Sequence, residues 1–381
     1  MTPDDATPDD ATPVLAIDLD AVATAYRTVR DALPDTAVHY AMKCNPHPDI
    51  LRTLHALGGR FEIASVDELY ALLAIGVDPD EIIYSSPVKP ARHIATAFAA
   101  GVRQFTFDSA DELAKLAVTA PGSAVFVRLA TCDTPSEVPS EGKFGVDATT
   151  AVTLLLAARA LGLRPYGLTF HVGSQMLDPS AWDAPLRLAG DVADKLLVEG
   201  VTLETIDLGG GFPARYDTAP PPFADYADVI GAGLARLPYP VRSIVEPGRA
   251  LVAEAGTLTA TVIGTADRFG RRWVHLDVGA FNGFMESLET GNRLRYPVSD
   301  SRGSARRLRC HLTGPTCDSQ DTILFDVDLS ADLATGDLVH IGSAGAYTSV
   351  YASSFNGFGP PTVRPIHGGS HEDRGTRHGR P

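Results

Sequence analysis

The chain has 381 residues, 44% of them hydrophobic, and a formal charge of −15 at pH 7. That is enough for two packed domains of roughly 100 to 200 residues each, and no basic cluster with interleaved aromatics marks nucleic acid as a partner. No window reaches the roughly 18 consecutive apolar residues of a membrane span, and the acidic, Pro-rich start lacks the basic region of a signal peptide, so a soluble cytoplasmic protein is expected, with no membrane partner.

In chain order, residues 1–13 hold a short Thr-Pro-Asp-Asp-Ala repeat with nothing to bury and are expected to be disordered. The run VLAIDL within 14–20 reads as a strand that joins a later β domain. From there to Arg249, eight β-rich runs alternate with Ala/Leu-rich stretches of helical period: AVHYAMK, RFEIAS, EIIYSS, QFTFD, AVFVRLA, PYGLTFHVG, TLETIDLGGG and VRSIVEPGR. Ser65 is placed to cap the helix that begins at VDELYALLAIG. Eight strand–helix steps in about 230 residues predict an α/β fold, a (β/α)8 TIM barrel over 21–249, rather than an open sheet. After Ala250 the pattern turns to β-rich segments with glycine turns, which predicts a C-terminal all-β domain over 250–367 and a disordered tail over 368–381. Cys44, Cys132, Cys310 and Cys317 are widely spaced with no CxxC pair, so reduced thiols are expected and no metal site.

In such a barrel, reactive groups belong at the C-terminal ends of the strands. Lys43 stands there after the first run, as a Schiff-base lysine must, although a lone strand-end lysine is usually only solvated. His171 and Ser174 follow the sixth run in HVGSQ. Gly209, Gly210 and Gly211 follow the seventh, and Glu246, Gly248 and Arg249 follow the eighth in EPGR. Glycine-rich backbone beside an arginine, after strands seven and eight, is where these barrels often hold phosphate. In the second domain, GPTCDSQD carries Cys317, Asp318 and Asp321, and GAYTSVYASSFNGF carries Tyr347 and Phe355.

The motifs YAMKCN, FEIAS, KFG, HVGSQ, DLGGGFP, EPGR, GPTCDSQD and GAYTSVYASSFNGF, in this order from about Pro13 to about Pro361, resemble those of the fold-type III pyridoxal phosphate decarboxylases of ornithine, lysine and diaminopimelate. The resemblance implies an alanine racemase-like barrel plus a β-sandwich or β-barrel domain, with pyridoxal 5'-phosphate as cofactor. It implies that Lys43 carries the cofactor as an imine and that Glu246 pairs with the pyridinium nitrogen. Glu62, standing where the family usually has Asp, and Arg128 would lie beside the ring, and His171 would stack on it. Ser174, Gly209, Gly210, Gly211, Gly248, Arg249 and Tyr347 would contact the phosphate. Cys317 would return a proton to the α-carbon, Asp318 would receive the distal ammonium of a diamino acid, and Phe355 would stand at the substrate mouth. The resemblance further implies a homodimer with shared active sites, in which Lys143 and Asp321 bridge the interface.

The segment FMESLETGNRLRYP resembles the family's short specificity helix, lengthened by a residue or two, and three readings stay open there. Glu286 or Glu289 supplies a second acid for a distal ammonium, or Arg293 meets a distal carboxylate. The expected activity is decarboxylation of ornithine or lysine to the diamine and CO2, with diaminopimelate decarboxylase as the alternative. From another class, a catalytically inactive regulatory or cofactor-carrying homologue is the third reading, opposed by the joint presence of Lys43, Glu246, Cys317 and Asp318.

Overall fold

The computed structural model describes residues 12–131, 136 and 142–368. The terminal segments expected to be disordered fall outside these residues, apart from Thr12, Pro13 and Gly368, and so does Cys132. The Thr362 N–H donates to the Pro13 carbonyl at 3.0 Å, and the Gly368 N–H to Asp20 Oδ2 at 2.8 Å.

One compact unit comprises residues 25–213 and 220–250. Its strands are β2 (Thr36–Ala41), β3 (Arg60–Ile63), β4 (Ile82–Tyr84), β5 (Gln104–Phe107), β6 (Ala124–Arg128), β7 (Arg164–Thr169), β8 (Thr205–Asp207) and β9 (Arg242–Val245), taking β1 as Val14–Asp18. They close in sequence order into a parallel barrel, with β2 paired to β9. Because helices cover the outside and side chains fill the inside, these strands are runs of Val, Ile and Phe rather than clean alternations. Ile83, Phe126, Tyr166 and Ile244 pack inside the barrel around Ala124. Each of the seven intervals between successive strands holds a helix. Ser65 caps one as expected, accepting from the Glu68 N–H at 3.2 Å. Ser109 repeats the device, accepting from the Glu112 N–H at 3.3 Å, but the Glu112 side chain turns inward instead of completing a capping box.

There Glu112 meets Lys89 at 3.0 Å, with both side chains almost wholly buried (1% and 0% exposed). Lys89 Nζ also donates to the carbonyls of Ser86 (2.8 Å) and Thr106 (2.6 Å). Burial pushes the lysine down to about 8, against the pull of Glu112. Removing one partner of such a pair strands a charge, so Glu112→Ala is expected to cost about 3–5 kcal/mol in denaturant unfolding, whereas Lys89→Met with Glu112→Leu recovers most of the loss. Equal losses in the single and double variants would remove the pair from the account of stability.

The second unit comprises the stretch up to Thr24, residues 214–219, and the chain from Leu251. In it β1 pairs antiparallel to β10 (Gly256–Arg268) and parallel to β16 (Thr362–Ile366). With β11 (Arg271–Leu276), β12 (Val298–Asp300), β13 (Arg307–Thr313), β14 (Thr322–Ser330) and β15 (Leu338–Ile341), the order is β12-β15-β10-β11-β13-β14. All pairs except β1–β16 and β11–β13 are antiparallel. Two details differ from the sequence reading. Leu251 to Ala255 is helix and turn, and β10 starts only at Gly256. Residues 214–219 belong with the β unit because polar atoms tie them there: the Arg215 N–H donates to Glu254 Oε1 at 3.0 Å, and Ser343 Oγ to the Arg215 carbonyl at 2.6 Å.

Candidate active site

The barrel unit brings Lys43, Glu62, Arg128, His171, Ser174, the glycine triplet, Glu246, Gly248 and Arg249 to the C-terminal ends of its strands. Lys43 sits in a single 3-10 turn, Met42–Cys44, directly after β2. Met42 and Cys44 are fully buried while the lysine between them is half-exposed, so two anchored neighbours aim one amine at the barrel mouth. The turn is tied to the end of β9 through the Ala41 N–H, which donates to the Pro247 carbonyl at 3.2 Å. Lys43 Nζ lies 3.1 Å from the buried Glu62, the penultimate residue of the neighbouring strand β3. Burial works against its charge, but Glu62 and then Glu246 outweigh that and hold its pKa above the ordinary lysine value. Glu in place of Asp at position 62 therefore has a direct role at the amine.

Within electrostatic reach of the lysine, two buried acids crowd together. Burial, and then repulsion from Asp207 and Glu62, pushes Glu246 well above the usual carboxylate range. Its Oε1 is buried without a hydrogen-bond partner among the described residues. Asp207 is pushed up to about 6, chiefly by burial. It accepts from the Gly209 N–H at 3.0 Å and from Thr169 Oγ1 at 3.0 Å, and so roots the glycine loop. The sequence reading missed Asp207; an acid ending a short strand, one residue ahead of three glycines, was the available signal.

The glycines answer to crowding between loops. A Cβ on Gly209 (φ +64°) would lie 2.0 Å from the Phe170 carbonyl oxygen, and one on Gly211 (φ +113°) 2.4 Å from that of Gly173. Only glycine lets the loops after β7 and β8 press together in this way. Behind the triplet, Phe212 stacks on Trp182 with ring centroids 4.7 Å apart, and Trp182 Nε1 donates to the Leu208 carbonyl at 3.1 Å. Sequence reasoning did not single out Trp182. Beside the triplet, the buried Arg249 reaches Ser174 Oγ with Nε at 3.3 Å and Nη2 at 3.2 Å. Burial, then Arg128 and Lys43, lowers His171 to about 3, so its ring is neutral. Arg128 lies 5.3 Å from the centroid of Phe144, and Lys143 beside it is exposed.

The β unit holds the remaining predicted residues. Cys317 and Asp318 are exposed on the loop between β13 and β14. Asp321, expected to pair with a partner's Lys143, is fully buried and is first of all the root of this loop. Its carboxylate accepts from the Ala280 N–H (2.8 Å), the Thr316 N–H (3.0 Å) and Thr316 Oγ1 (2.7 Å). Tyr347 takes a left-handed backbone (φ 57°), and the exposed Phe355 packs edge-on against Phe281, 5.1 Å between centroids. The specificity segment forms the short helix Met285–Glu289, with Glu286 buried and Glu289 exposed; Arg293 is exposed beyond it.

The mouth of the barrel fits pyridoxal phosphate on its own chemistry. A buried carboxylate oxygen without a partner among the described residues asks for a cationic N–H, an amine lies within electrostatic reach of it, and a buried arginine with a serine hydroxyl flanks glycine-rich backbone suited to a phosphate.

The comparisons agree with that fit. Residues 19–253 match the family model described as pyridoxal-dependent decarboxylase, pyridoxal binding domain. The chain is 38% identical over 354 residues to a lysine/ornithine decarboxylase of Selenomonas ruminantium, covering 90% of this chain and 87% of that one. It is 35% identical to an ornithine decarboxylase of Schizosaccharomyces pombe, covering 90% and 80%. Among solved structures, a lysine/ornithine decarboxylase from Vibrio vulnificus complexed with cadaverine superimposes with a TM-score of 0.87 at 34% identity, over 93% of this chain and 94% of that one.

Proposed function

The chain belongs to the family of pyridoxal-dependent decarboxylases, and from that premise we propose that it removes the α-carboxylate of ornithine or lysine, releasing putrescine or cadaverine and CO2. The observation that carries the substrate is likeness over nearly the whole chain to a lysine/ornithine decarboxylase at 38% identity.

Bound pyridoxal phosphate supplies a ring that draws in the electron pair of the breaking Cα–carboxylate bond. Lys43 is the covalent tether, and Glu62 beside it holds the amine in place. Glu246 holds a proton on the ring nitrogen, an assignment that uses its unpartnered, buried Oε1. Ser174, Arg249, Gly248 and the backbone N–H groups of Gly209 to Gly211 take the phosphate, with Tyr347 as a further contact. The neutral His171 would cover a face of the ring, and Arg128 would stand near it. From the β unit, Cys317 delivers a proton to the α-carbon, Asp318 takes the distal ammonium, and Phe355 lines the substrate mouth. Of the two acids in the specificity helix, the exposed Glu289 is the better second partner for that ammonium, because Glu286 is buried.

The active protein is proposed to be a cytoplasmic homodimer in which the exposed Cys317–Asp318 loop serves the partner's barrel. Lys43→Ala and Cys317→Ala chains, each impaired alone, should recover activity when mixed; no recovery overturns the shared site. For the substrate, the holoenzyme is incubated with ornithine, lysine, arginine and diaminopimelate and the amines are identified. Absence of putrescine and cadaverine overturns the proposal. Asp318→Ala removes one charge-assisted contact of about 1.5–3 kcal/mol, so kcat/KM for the preferred diamino acid is expected to fall roughly ten- to a hundred-fold. The steady-state comparison checks this, and an unchanged KM together with an unchanged kcat removes Asp318 from the ammonium site.

A further inference from the structure

The end of the barrel opposite Lys43 is not filled. A pocket of about 490 Å³ opens among the first residues of the strands, and the side chains Ile83, Phe126, Tyr166 and Ile244 close the barrel between it and the catalytic mouth. In barrels of this kind that face ordinarily serves stability alone. Here four arginines line it: Arg60, Arg103, Arg164 and Arg242.

Their charge is only half answered. Glu204 serves two of them, at 3.2 Å from Arg242 and 3.7 Å from Arg164. Asp80 is the one acidic side chain in the pocket lining. Arg103 spends Nη1 on the carbonyls of Phe98 (2.6 Å) and Val102 (2.9 Å), which fixes its position without neutralising it. The Arg60 side chain has no hydrogen bond or ion pair among the described residues. Arginines packed on ring faces are stiff donors, and Arg164 lies 4.5 Å from the centroid of Tyr166 and Arg103 4.2 Å from that of Phe98.

The lining also contains polar atoms without partners. His39 Nε2 and Thr205 Oγ1 are buried with no hydrogen bond among the described residues, on side chains that are each 1% exposed. Burial, and then Arg60, lowers His39 to about 3, so its ring is neutral. Its Nδ1 faces the Phe61 carbonyl at 3.4 Å, which can only accept, so the proton sits on Nδ1 and Nε2 presents a lone pair. The rim therefore offers donors to an oxyanion, and the floor asks for a hydroxyl.

We infer that this pocket is a second binding site, for a small hydroxylated phosphate monoester whose phosphate meets the arginine rim and whose hydroxyls reach toward His39 and Thr205. Guanidinium groups converging on a recess match the several oxygens and the double charge of a phosphoryl group. The volume suits a single small molecule rather than a polymer, within the roughly 300–1,000 Å³ of ordinary ligand pockets.

Ribose 5-phosphate is the probe, titrated calorimetrically into the pyridoxal phosphate-loaded protein, with ribose and inorganic phosphate as controls. The expected result is one probe per chain, no binding of ribose, and binding of inorganic phosphate that is weaker but measurable. Arg60→Gln with Arg242→Gln changes two exposed side chains and should weaken the probe by about tenfold or more, as loss of charge-assisted contacts implies, while cofactor absorbance and kcat stay unchanged. If that variant does not fold, the salt dependence of binding to the unaltered protein decides the same point, a rise in affinity at low salt being required. Absence of binding, binding that the double variant leaves intact, or binding seen only after the cofactor is stripped each overturns the site.

Discussion

Lys43→Ala is expected to yield a folded protein that no longer retains pyridoxal phosphate covalently and has lost essentially all decarboxylation. The loss should lie at or beyond the upper end of the roughly 10²- to 10⁴-fold that a positioned proton-transferring side chain contributes, because this lysine is proposed to provide the covalent tether as well. The fold should survive the change. The side chain is half-exposed and its neighbours Met42 and Cys44, not Lys43, hold the turn in the core. Glu62 loses its partner, and the freed charge is placed where Glu246 and Asp207 already repel it, so a modest drop in melting temperature accompanies the loss of activity. Visible absorbance, mass after borohydride reduction and amine release are the measurements. A reduced adduct that persists at full yield in Lys43→Ala would falsify the assignment of the tether.

The outline of this protein was legible because its signals are local and repeated. Each barrel strand is a buried apolar run of three to six residues followed by a helix, and Ser65 marks one helix start by a mechanism that needs no tertiary contact. Ordering by motif then located the groups of the barrel mouth, since the C-terminal strand ends are where such a fold collects them. What stayed hidden depends on distance in sequence. Asp207 acts through Thr169 and beside Glu246, each about 40 positions away, and its place ahead of the glycines signals a loop root without naming either partner. The buried Lys89–Glu112 pair joins positions 23 apart, each of which reads alone as a solvated charge. Residues 214–219 leave the barrel sequence for the β unit through contacts of Arg215 with Glu254 and Ser343, which no periodicity records. The arginine rim at the barrel's far end escaped for the same reason, its four members being spread from position 60 to position 242.

Glu246→Gln should separate catalysis from stability by moving them in opposite directions. With cofactor bound, glutamine fills the space of the carboxylate but carries no charge to keep a proton on the ring nitrogen, so kcat is expected to fall by about 10² to 10⁴-fold. Without cofactor the native glutamate is a liability: burial, Asp207 and Glu62 all oppose its ionisation, and Oε1 has no partner. Because the folded-state pKa lies above the ordinary 4.5, the contribution of Glu246 is fully present below that value and is lost as pH rises through the folded one. Asp207 behaves alike, losing its contribution between 3.8 and about 6. The cofactor-free native protein should therefore lose melting temperature relative to Glu246→Gln as pH is raised from about 4 through 6 and beyond, with the variant the more stable at neutral pH. Loading with pyridoxal phosphate should reverse that order, since only the carboxylate gains a cation across from it. A variant less stable than the native chain in both states would show a structural role for Glu246, and one that keeps its rate would leave the ring nitrogen without the partner assigned to it.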